Sequence, residues 1–299
     1  MTDTNLIEIF CIFDDFCKYF TPELKKHTLQ VPGKRHRNRA SRMSDSEIMT
    51  LLVLFHTHRF RDLKSFYLGY ICQHMRGDFP HRISYNRFVE RQAQVALHLL
   101  LFLQTCALGK CSGISIIDST PLASCHIKRE RQHRTMRGWA AKGKCTMGWF
   151  YGFKLHLVIN DKGEIIQWKL TPGNVDDREP LKDKRFTERL FGKLFADRGY
   201  ISQNLFEMLF VDNIHLVTKI KKNMKNSLMS LYDKLLLRKR SVIETVNDEL
   251  KNVCQIEHTR HRSFDNFATN LIAGLIAYNL LLKKPEMNIE IIDKSRIIT

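Results

Sequence analysis

The sequence predicts an α/β fold in which a mixed sheet of five strands is flanked by helices and preceded by an all-α N-terminal region. The main observation is that the hydrophobic period changes near residue 110, from the spacing of helices to that of strands. In addition, 299 residues with 43% hydrophobic content suffice for one large domain or two modest ones. We therefore expect a helical region over residues 1–110, an α/β domain over 111–284 and a C-terminal tail over 285–299.

Capping signals and apolar spacing predict the helices of the first region. Ser44 and Glu47 form a capping box ahead of an apolar run. Ser84 caps a longer segment, whose apolar residues recur at heptad-like spacing. These residues are Phe88, Val95, Leu99 and Phe102. The first third is therefore expected to be a bundle of helices.

Three strands are predicted at the start of the second region. Ile114–Ile117 is a short apolar run that ends at Asp118, as expected of a strand buried on both faces. Trp149–Ile159 places apolar residues at alternate positions, and the turn residues Asn160–Gly163 lead into Glu164–Leu170, which alternates in the same way. The second and third strands are therefore expected to form a hairpin.

Helices and strands alternate in the rest of the second region. A capping box of Asp176 and Glu179 predicts a helix that continues to about Phe191. The later elements are a strand ending at Asp197, a helix near Gln203–Phe210, a strand at His215–Ile220, and helices at Arg240–Val253 and Asp265–Leu282. This order is that of an RNase H-like α/β domain, although topology alone does not give function.

The charge of the chain predicts a polyanionic partner, with nucleic acid as the first candidate. The formal net charge is +17, from 48 Lys and Arg against 31 Asp and Glu. Basic residues cluster in the segments Gly33–Arg42, Ile127–Lys144 and Lys219–Arg240. Such segments suit phosphate contacts, but solvated basic loops look the same in a sequence.

The remaining composition predicts a cytoplasmic protein without a zinc site. The eight cysteines include no C-x-x-C pair and no metal-ligand spacing, so we interpret them as buried free thiols of a reducing compartment. Met1–Phe16 carries acidic residues where a secretory signal needs positive charge. The longest apolar stretches are too short to span a bilayer.

Three carboxylates occupy positions that predict a metal-dependent active site. Asp118 and Asp197 each end a predicted strand, and Glu244 lies on the helix that begins near Arg240. In an RNase H-like sheet the first and fourth strands are neighbours, so these side chains are expected to converge and to repel one another unless cations neutralise them. Oxygen ligands of this kind bind Mg²⁺. Taken singly, each could instead be a turn former or a solvated helix residue.

The helix that carries Glu244 has two distinct sides. Its apolar stripe contains Ile243, Val246, Leu250 and Val253. The other side contains Arg240, Glu244, Asp248 and Lys251. The two cations on that side could form ordinary surface pairs or could face DNA phosphate beside the metal ions.

The motifs resemble those of DDE transposases of bacterial insertion sequences, family 982. Arg240-x-x-x-Glu244-x-x-x-x-x-x-Lys251 resembles the signature around the catalytic Glu of these enzymes. Further blocks of the family resemble Ile116–Thr120, Gly173–Asp177, Ala196–Tyr200 and Ile256–Ser263, and the resemblance covers nearly the whole chain. Related families often place a Tyr three residues before the signature Arg. This chain has Leu237 at that position, so no function of that Tyr is expected here.

The resemblance implies a transposase that cuts and joins DNA at the terminal inverted repeats of a mobile element. Asp118, Asp197 and Glu244 would be catalytic and would hold two Mg²⁺ ions, for which Mn²⁺ can substitute. The partners would be double-stranded repeat and target DNA, bound by a homodimer or larger assembly. The expected DNA-binding residues are Arg240, Lys251, Arg129, Arg131, Arg134, Arg137, Lys221 and Lys222. A structure-selective nuclease of the same fold and a non-catalytic DNA-binding regulator are the alternatives.

Overall fold

The structure is a computed structural model, and its chain divides into two compact units. One unit, called here the helical unit, comprises Met1–Ala107 and Leu250–Leu280; the other, the sheet unit, comprises Leu108–Glu249 and Leu281–Thr299. The residues described are 3–27, 41–146, 148–219, 229–257 and 261–288. The basic segment Gly33–Arg42, apart from its last two residues, and the predicted DNA-binding residues Lys221 and Lys222 lie outside the described residues.

The helical unit is built from α-helices joined by short turns and π-helical segments. Its α-helices are α1 (Asp3–His27), α2 (Asp45–Thr57), α3 (Cys72–His74), α4 (Tyr85–Gln94), α5 (Ala96–Phe102) and α10 (Phe264–Asn279). Its π-helical segments are Ser65–Ile71, Leu103–Ala107 and Glu249–Val253, the last of which begins in the sheet unit. Among the described residues, no helix is long and apolar enough to cross a membrane.

The predicted capping signals of this unit are confirmed. Ser44 and Glu47 form a complete capping box at the start of α2, in which each side chain bonds to the backbone of the other. Ser84 caps α4 by accepting a hydrogen bond from the backbone of Arg87. The heptad-like apolar residues, among them Phe88 and Leu99, are buried. Their burial stabilises the unit by about 1.5–3 kcal/mol for each large side chain.

The sheet unit contains every strand among the described residues. The strands are β1 (Ile114–Cys125), β2 (Ala141–Cys145), β3 (Gly148–Asn160), β4 (Ile165–Pro172), β5 (Gly192–Ala196) and β6 (Ile214–Thr218). Its α-helices are α6 (Lys184–Thr187), α7 (Gln203–Val211), α8 (Leu231–Lys239) and α9 (Val242–Asp248). Short 3₁₀ helices lie at Ile127–Gln132, Glu179–Lys182 and Arg198–Tyr200.

The sheet has the mixed topology that the sequence predicts, with one strand more than expected. Its order is β2-β3-β1-β5-β6, and β4 also pairs with β3. β1 is antiparallel to β3 and parallel to β5, and β3 and β4 form the predicted hairpin. The unpredicted strand is β2, which lies within the basic segment Ile127–Lys144 that looked like a loop.

Two of the predicted element boundaries are wrong. Asp118 does not end a strand, because β1 continues past it to Cys125, with Asp118 opposite Leu157 of β3. The ladder between β1 and β5 covers only Ile114–Ile116, whereas the ladder between β1 and β3 continues as far as Cys125. The predicted helix from Asp176 to Phe191 is instead the short helices at Glu179–Lys182 and α6, because Pro180 opens the first and Asp183 caps the second.

The ends of the chain also differ from the predicted grouping. The sequence analysis placed the last helix in the α/β domain, whereas α10 groups with the N-terminal helices. The segment after α10 returns to the sheet unit, where the backbone N–H of Met287 donates to the carbonyl of Asp161 over 2.8 Å. The physical reason is that α10 is buried along most of its length, so it needs apolar neighbours on several sides.

Candidate active site

The sheet register brings Asp118 and Asp197 to equivalent positions on neighbouring strands. Ile116 of β1 pairs with Phe195 of β5, and each Asp follows its paired residue by two positions. Because side chains alternate along a strand, an offset of two keeps both carboxylates on one face. Asp197 comes directly after β5, so its side chain is more exposed than that of Asp118.

Helix α9 adds Glu244 to the two aspartates, and Arg240 joins two of the three carboxylates. One guanidinium nitrogen of Arg240 lies 3.8 Å from Asp197 Oδ1 and 3.6 Å from Glu244 Oε1. The Arg240 side chain is only 13% exposed, whereas the two acidic side chains are more than half exposed. Arg240 therefore acts as an internal counter-ion between residues that are 47 positions apart in the sequence.

Asn247 is a residue of this site that the sequence analysis missed. Its side-chain amide donates a hydrogen bond of 3.1 Å to Asp118 Oδ2, and the residue is buried. Asn247 follows Glu244 by three positions, so the two side chains emerge from neighbouring positions on α9. That spacing is the only sequence signal that could have indicated Asn247.

Burial shifts the pKa of Asp118 more than any neighbouring charge does. Loss of solvent raises the pKa of Asp118 to about 6. The backbone N–H of Ser119 and the charge of Arg240 act in the opposite direction, and the negative charges of Asp197 and Glu244 raise the pKa further. The charges of the other two predicted carboxylates therefore act on Asp118 in the folded protein.

The block Gly173–Asp177 lies beside the same part of β1. Asp177 accepts hydrogen bonds from Ser119 Oγ over 2.8 Å and from Lys154 Nζ over 2.9 Å. Lys154 also donates to the carbonyl of Val175 over 2.9 Å, so it ties the loop after β4 to β3. Tyr200 is buried near Asp118, and burial together with that negative charge raises its pKa well above the usual range. These contacts give structural roles to two of the blocks that the sequence analysis singled out.

The predicted DNA-binding residues are distributed over different parts of the chain. Arg129 and Arg131 lie on the 3₁₀ helix Ile127–Gln132, Arg134 and Arg137 follow it, and all four are exposed. Lys251 belongs to the helical unit, where its ammonium group lies 3.7 Å from the carboxylate of Glu257.

An aromatic residue also lies within the basic surface of the sheet unit. On β2, Lys142 and Lys144 place their ammonium groups 4.9 and 5.8 Å from the ring centre of the exposed Trp149. Aromatic rings among cations are typical of surfaces that bind nucleic acid.

The donor chemistry of the site fits a hard divalent cation. Asp118, Asp197 and Glu244 supply carboxylate oxygens, which are the ligands that Mg²⁺ and Mn²⁺ prefer. Among the residues described, no three His, Cys, Asp or Glu side chains stand close enough to form a ready metal site. The guanidinium group of Arg240 lies close to both Asp197 and Glu244.

Comparisons with solved structures show the fold. The chain is similar to piggyBac transposase in a synaptic complex with hairpin DNA, with a TM-score of 0.50 and 11% identity over 92% of this chain and 73% of that one. It is also similar to the Mos1 transposase in a pre-cleavage transpososome, at 14% identity over 89% and 85% of the two chains, but the TM-score is only 0.27. A comparison with curated protein sequences gave no match.

The sequence itself matches a protein family over the region that carries the site. The family is described as the transposase DDE domain, and its match covers residues 108–264. That range contains Asp118, Asp197 and Glu244 together with all six strands, and it spans more than half of the 299 residues. The chain therefore belongs to the DDE transposase family.

Proposed function

We propose that this transposase cleaves and joins DNA strands with Asp118, Asp197 and Glu244 as the ligands of two divalent metal ions. The observation that supports this most directly is that the charges of Asp197 and Glu244 act on Asp118 and that Arg240 lies close to both of them. Mg²⁺ is the expected ion, and Mn²⁺ is expected to substitute for it because both prefer oxygen ligands. When bound, such ions promote in-line phosphoryl transfer by activating the attacking oxygen and stabilising the leaving one.

The residues around the carboxylates would prepare them for that role. Asn247 holds one oxygen of Asp118 by a hydrogen bond, which would orient this carboxylate towards a bound cation. Arg240 neutralises part of the charge of Asp197 and Glu244, which stabilises their approach before a metal ion binds. Burial of Asp118 removes water from one side of the site, which strengthens its interactions with any bound cation.

The proposed substrates are the terminal inverted repeats of a bacterial insertion sequence of family 982 and a target duplex. The motif resemblance supports the family, and the net charge of +17 supports a polyanion. Arg129, Arg131, Arg134 and Arg137 are exposed, and in the described parts of the chain none of the four is in a salt bridge. We further propose that the protein acts in the cytoplasm as a homodimer or larger assembly on DNA.

Lys251, Lys221 and Lys222 complete the proposed DNA contacts, Lys251 at the transposon end. Arg240 already lies close to Asp197 and Glu244, so any phosphate contact of Arg240 would add to these ion pairs.

The test of this function is an assay that separates cutting from joining. Purified protein is incubated with labelled duplex DNA that carries the terminal repeat, with Mg²⁺ and a supercoiled target plasmid. A transposase is expected to release the repeat end and to attach it covalently to the plasmid. Cleavage without joining would indicate a nuclease, and binding without cleavage would indicate a regulator.

A further inference from the structure

The helical unit contains a cleft that lies entirely within that unit. Its volume is about 670 Å³, which is in the range of clefts that hold small ligands. The lining comes from the end of α2, the segment after it, helix α4, the residues just before α10 and the first half of α10. Arg262, which belongs to the family block Ile256–Ser263, is among the lining residues. The candidate active site gives that block no role.

The mouth of the cleft is positively charged. Arg61, Lys64 and Arg262 line it and are exposed, and among the residues described none of the three is in a salt bridge. The only acidic residue of the lining is Asp62, whose carboxylate accepts hydrogen bonds from the backbone N–H and hydroxyl of Ser65 over 2.8 and 2.6 Å. The excess of positive charge favours an anionic ligand such as a phosphate group.

The deeper part of the cleft carries side-chain amides. Gln92 and Asn270 are 1% and 2% exposed, and both line the cleft. Gln92 donates to the backbone carbonyl of Asn266 over 3.2 Å, and the side-chain oxygen of Asn266 is buried with no hydrogen-bond partner in the described structure. A buried acceptor without a partner is unfavourable, so a donor group of a ligand would stabilise it.

An aromatic and apolar wall connects the mouth to these amides. The half-buried Tyr85 lines the cleft together with Phe55, Leu68 and Val89. Tyr85 and Arg262 line the same cleft. Burial and the charge of Asp62 raise the pKa of Tyr85, and the charge of Arg262 acts in the opposite direction. A flat aromatic ring beside cations is suited to stacking on a nucleobase.

We propose that this cleft binds one unpaired nucleotide of a DNA strand. Its phosphate would lie at Arg61, Lys64 and Arg262, and its base would stack on Tyr85 with its edge towards the buried amides. A base within a duplex cannot reach buried amides, whereas an unpaired nucleotide can enter a cleft of this size. The proposal rests on DNA being the substrate of the enzyme and does not depend on the carboxylate site.

The test measures binding by the full chain in the absence of divalent metal. Fluorescence anisotropy compares a short labelled single-stranded oligonucleotide with its duplex, and the Asp118→Asn variant serves as the background so that no cleavage intervenes. We expect Arg262→Ala and Tyr85→Leu each to weaken single-strand binding about tenfold and duplex binding much less. Lys25→Ala removes an exposed cation of α1 that does not line the cleft, so it is the matched control.

A second measurement examines the amides. Asn266→Ala should change the ranking of the affinities for different homopolymeric single strands, while Lys25→Ala should preserve that ranking. Circular dichroism establishes that each variant is folded. The proposal is overturned if Arg262→Ala and Tyr85→Leu bind the single strand as the control does, or if they weaken the duplex equally. Competition by free deoxynucleoside monophosphates as strong as that of the oligonucleotide would also overturn it, because the ligand would then be a free nucleotide.

Discussion

At the scale of single residues, Arg240 is the group that most affects the charge of the candidate site. It contacts Asp197 and Glu244, whose side chains are 56% and 64% exposed. Exposed ion pairs of this kind contribute little stability, so the main effect of Arg240 is on the negative potential that a cation would meet. The sequence analysis expected Arg240 to contact DNA, and the structure adds these two contacts within the chain.

Replacing Arg240 with Ala is expected to tighten Mg²⁺ binding several-fold, because a positive charge beside the carboxylates is removed. Cleavage of repeat DNA should nevertheless slow, because Asp197 and Glu244 lose the group that contacts both of them. Calorimetric titration with Mg²⁺ and single-turnover cleavage measure the two effects, and Arg238→Ala at the exposed end of α8 is the control. Unchanged Mg²⁺ affinity in Arg240→Ala would show that this residue acts on DNA alone.

The sequence indicated some residues of the site and not others for a physical reason. Asp118, Asp197 and Glu244 could be selected because three carboxylates on or next to predicted strands and a helix, in the order of an RNase H-like domain, carry a chemical signal. Asn247 could not, because a neutral amide on a helix becomes informative only once α9 is known to lie against β1. The raised pKa of Asp118 likewise depends on burial, which single residue types do not reveal.

At the scale of elements, helix α9 carries both Glu244 and the residue that holds Asp118. Asn247→Ala removes the hydrogen bond to Asp118 Oδ2, so we expect about tenfold slower cleavage through a less ordered carboxylate. Thr245→Ala, at an exposed position of the same helix, should leave cleavage unchanged. If Asn247→Ala only weakened the fold, thermal stability would fall and Mg²⁺ binding would not weaken. If Asn247 positions Asp118, the variant should bind Mg²⁺ more weakly. Equal Mg²⁺ affinity in the two variants would contradict that role.

The pairing of β1 with β3 depends on a glycine. Gly152 pairs with Ala123 next to a bulge in β1, and a Cβ at Gly152 would lie 2.1 Å from the carbonyl oxygen of Leu122. Because a backbone atom cannot move aside as a side chain can, Gly152→Ala should lower the free energy of unfolding by about 1–3 kcal/mol. Gly77→Ala, where a Cβ meets open space, is the control for chemical denaturation. Equal stability of the two variants would contradict this account of the sheet.

Side-chain period and the caps at Ser44 and Ser84 predicted elements correctly, whereas the capping signal at Asp176 did not, and an element that depends on tertiary pairing was missed. The β3–β4 hairpin follows from alternation and turn residues. The strand β2 was missed because its exposed Lys142 and Lys144 resemble a solvated loop, and only pairing with β3 makes it a strand. The helix α8 was missed because its basic residues Lys234, Arg238 and Lys239 also resemble a solvated loop, although Ser230 caps it.

At the scale of the whole molecule, buried histidines make stability depend on pH. Burial lowers the pKa of His56, His156 and His261 to about 4, whereas an unfolded chain has the ordinary value near 6.5. The free energy of unfolding is therefore expected to be at its full value above pH about 6.5, to fall as the pH decreases towards about 4, and to level off below that. Denaturation in urea at pH 7 and pH 5 measures the difference.

A control for the pH effect is available within the sheet unit. His156 Nε2 and the hydroxyl of Thr171 share a hydrogen bond of 2.8 Å. The substitution His156→Gln removes the titratable imidazole. The free energy of unfolding of this variant should change less between pH 7 and pH 5 than that of the unmodified protein, even if the variant is less stable at both pH values. A free energy of unfolding that is the same at the two pH values in the unmodified protein would contradict the burial of these histidines.

The grouping of helices into units could not be predicted from the sequence. The apolar residues of α10 indicate that it is buried, but they do not indicate which other elements cover it. The mixed sheet could be predicted, because the order of strands and helices restricts the possible topologies. The adjacency of β1 and β5, which aligns Asp118 with Asp197, follows from that topology.

The central claim is that Asp118, Asp197 and Glu244 hold the metal ions used in cleavage. The most direct measurement is Mg²⁺-dependent, single-turnover cleavage of terminal-repeat DNA by Asp118→Asn, Asp197→Asn and Glu244→Gln, with Asp212→Asn as an exposed control in the sheet unit. We predict that each of the three lowers the rate by about a hundredfold or more while DNA binding changes only a few-fold. Full Mg²⁺-dependent cleavage by any one of the three would remove that residue from the site and contradict the account.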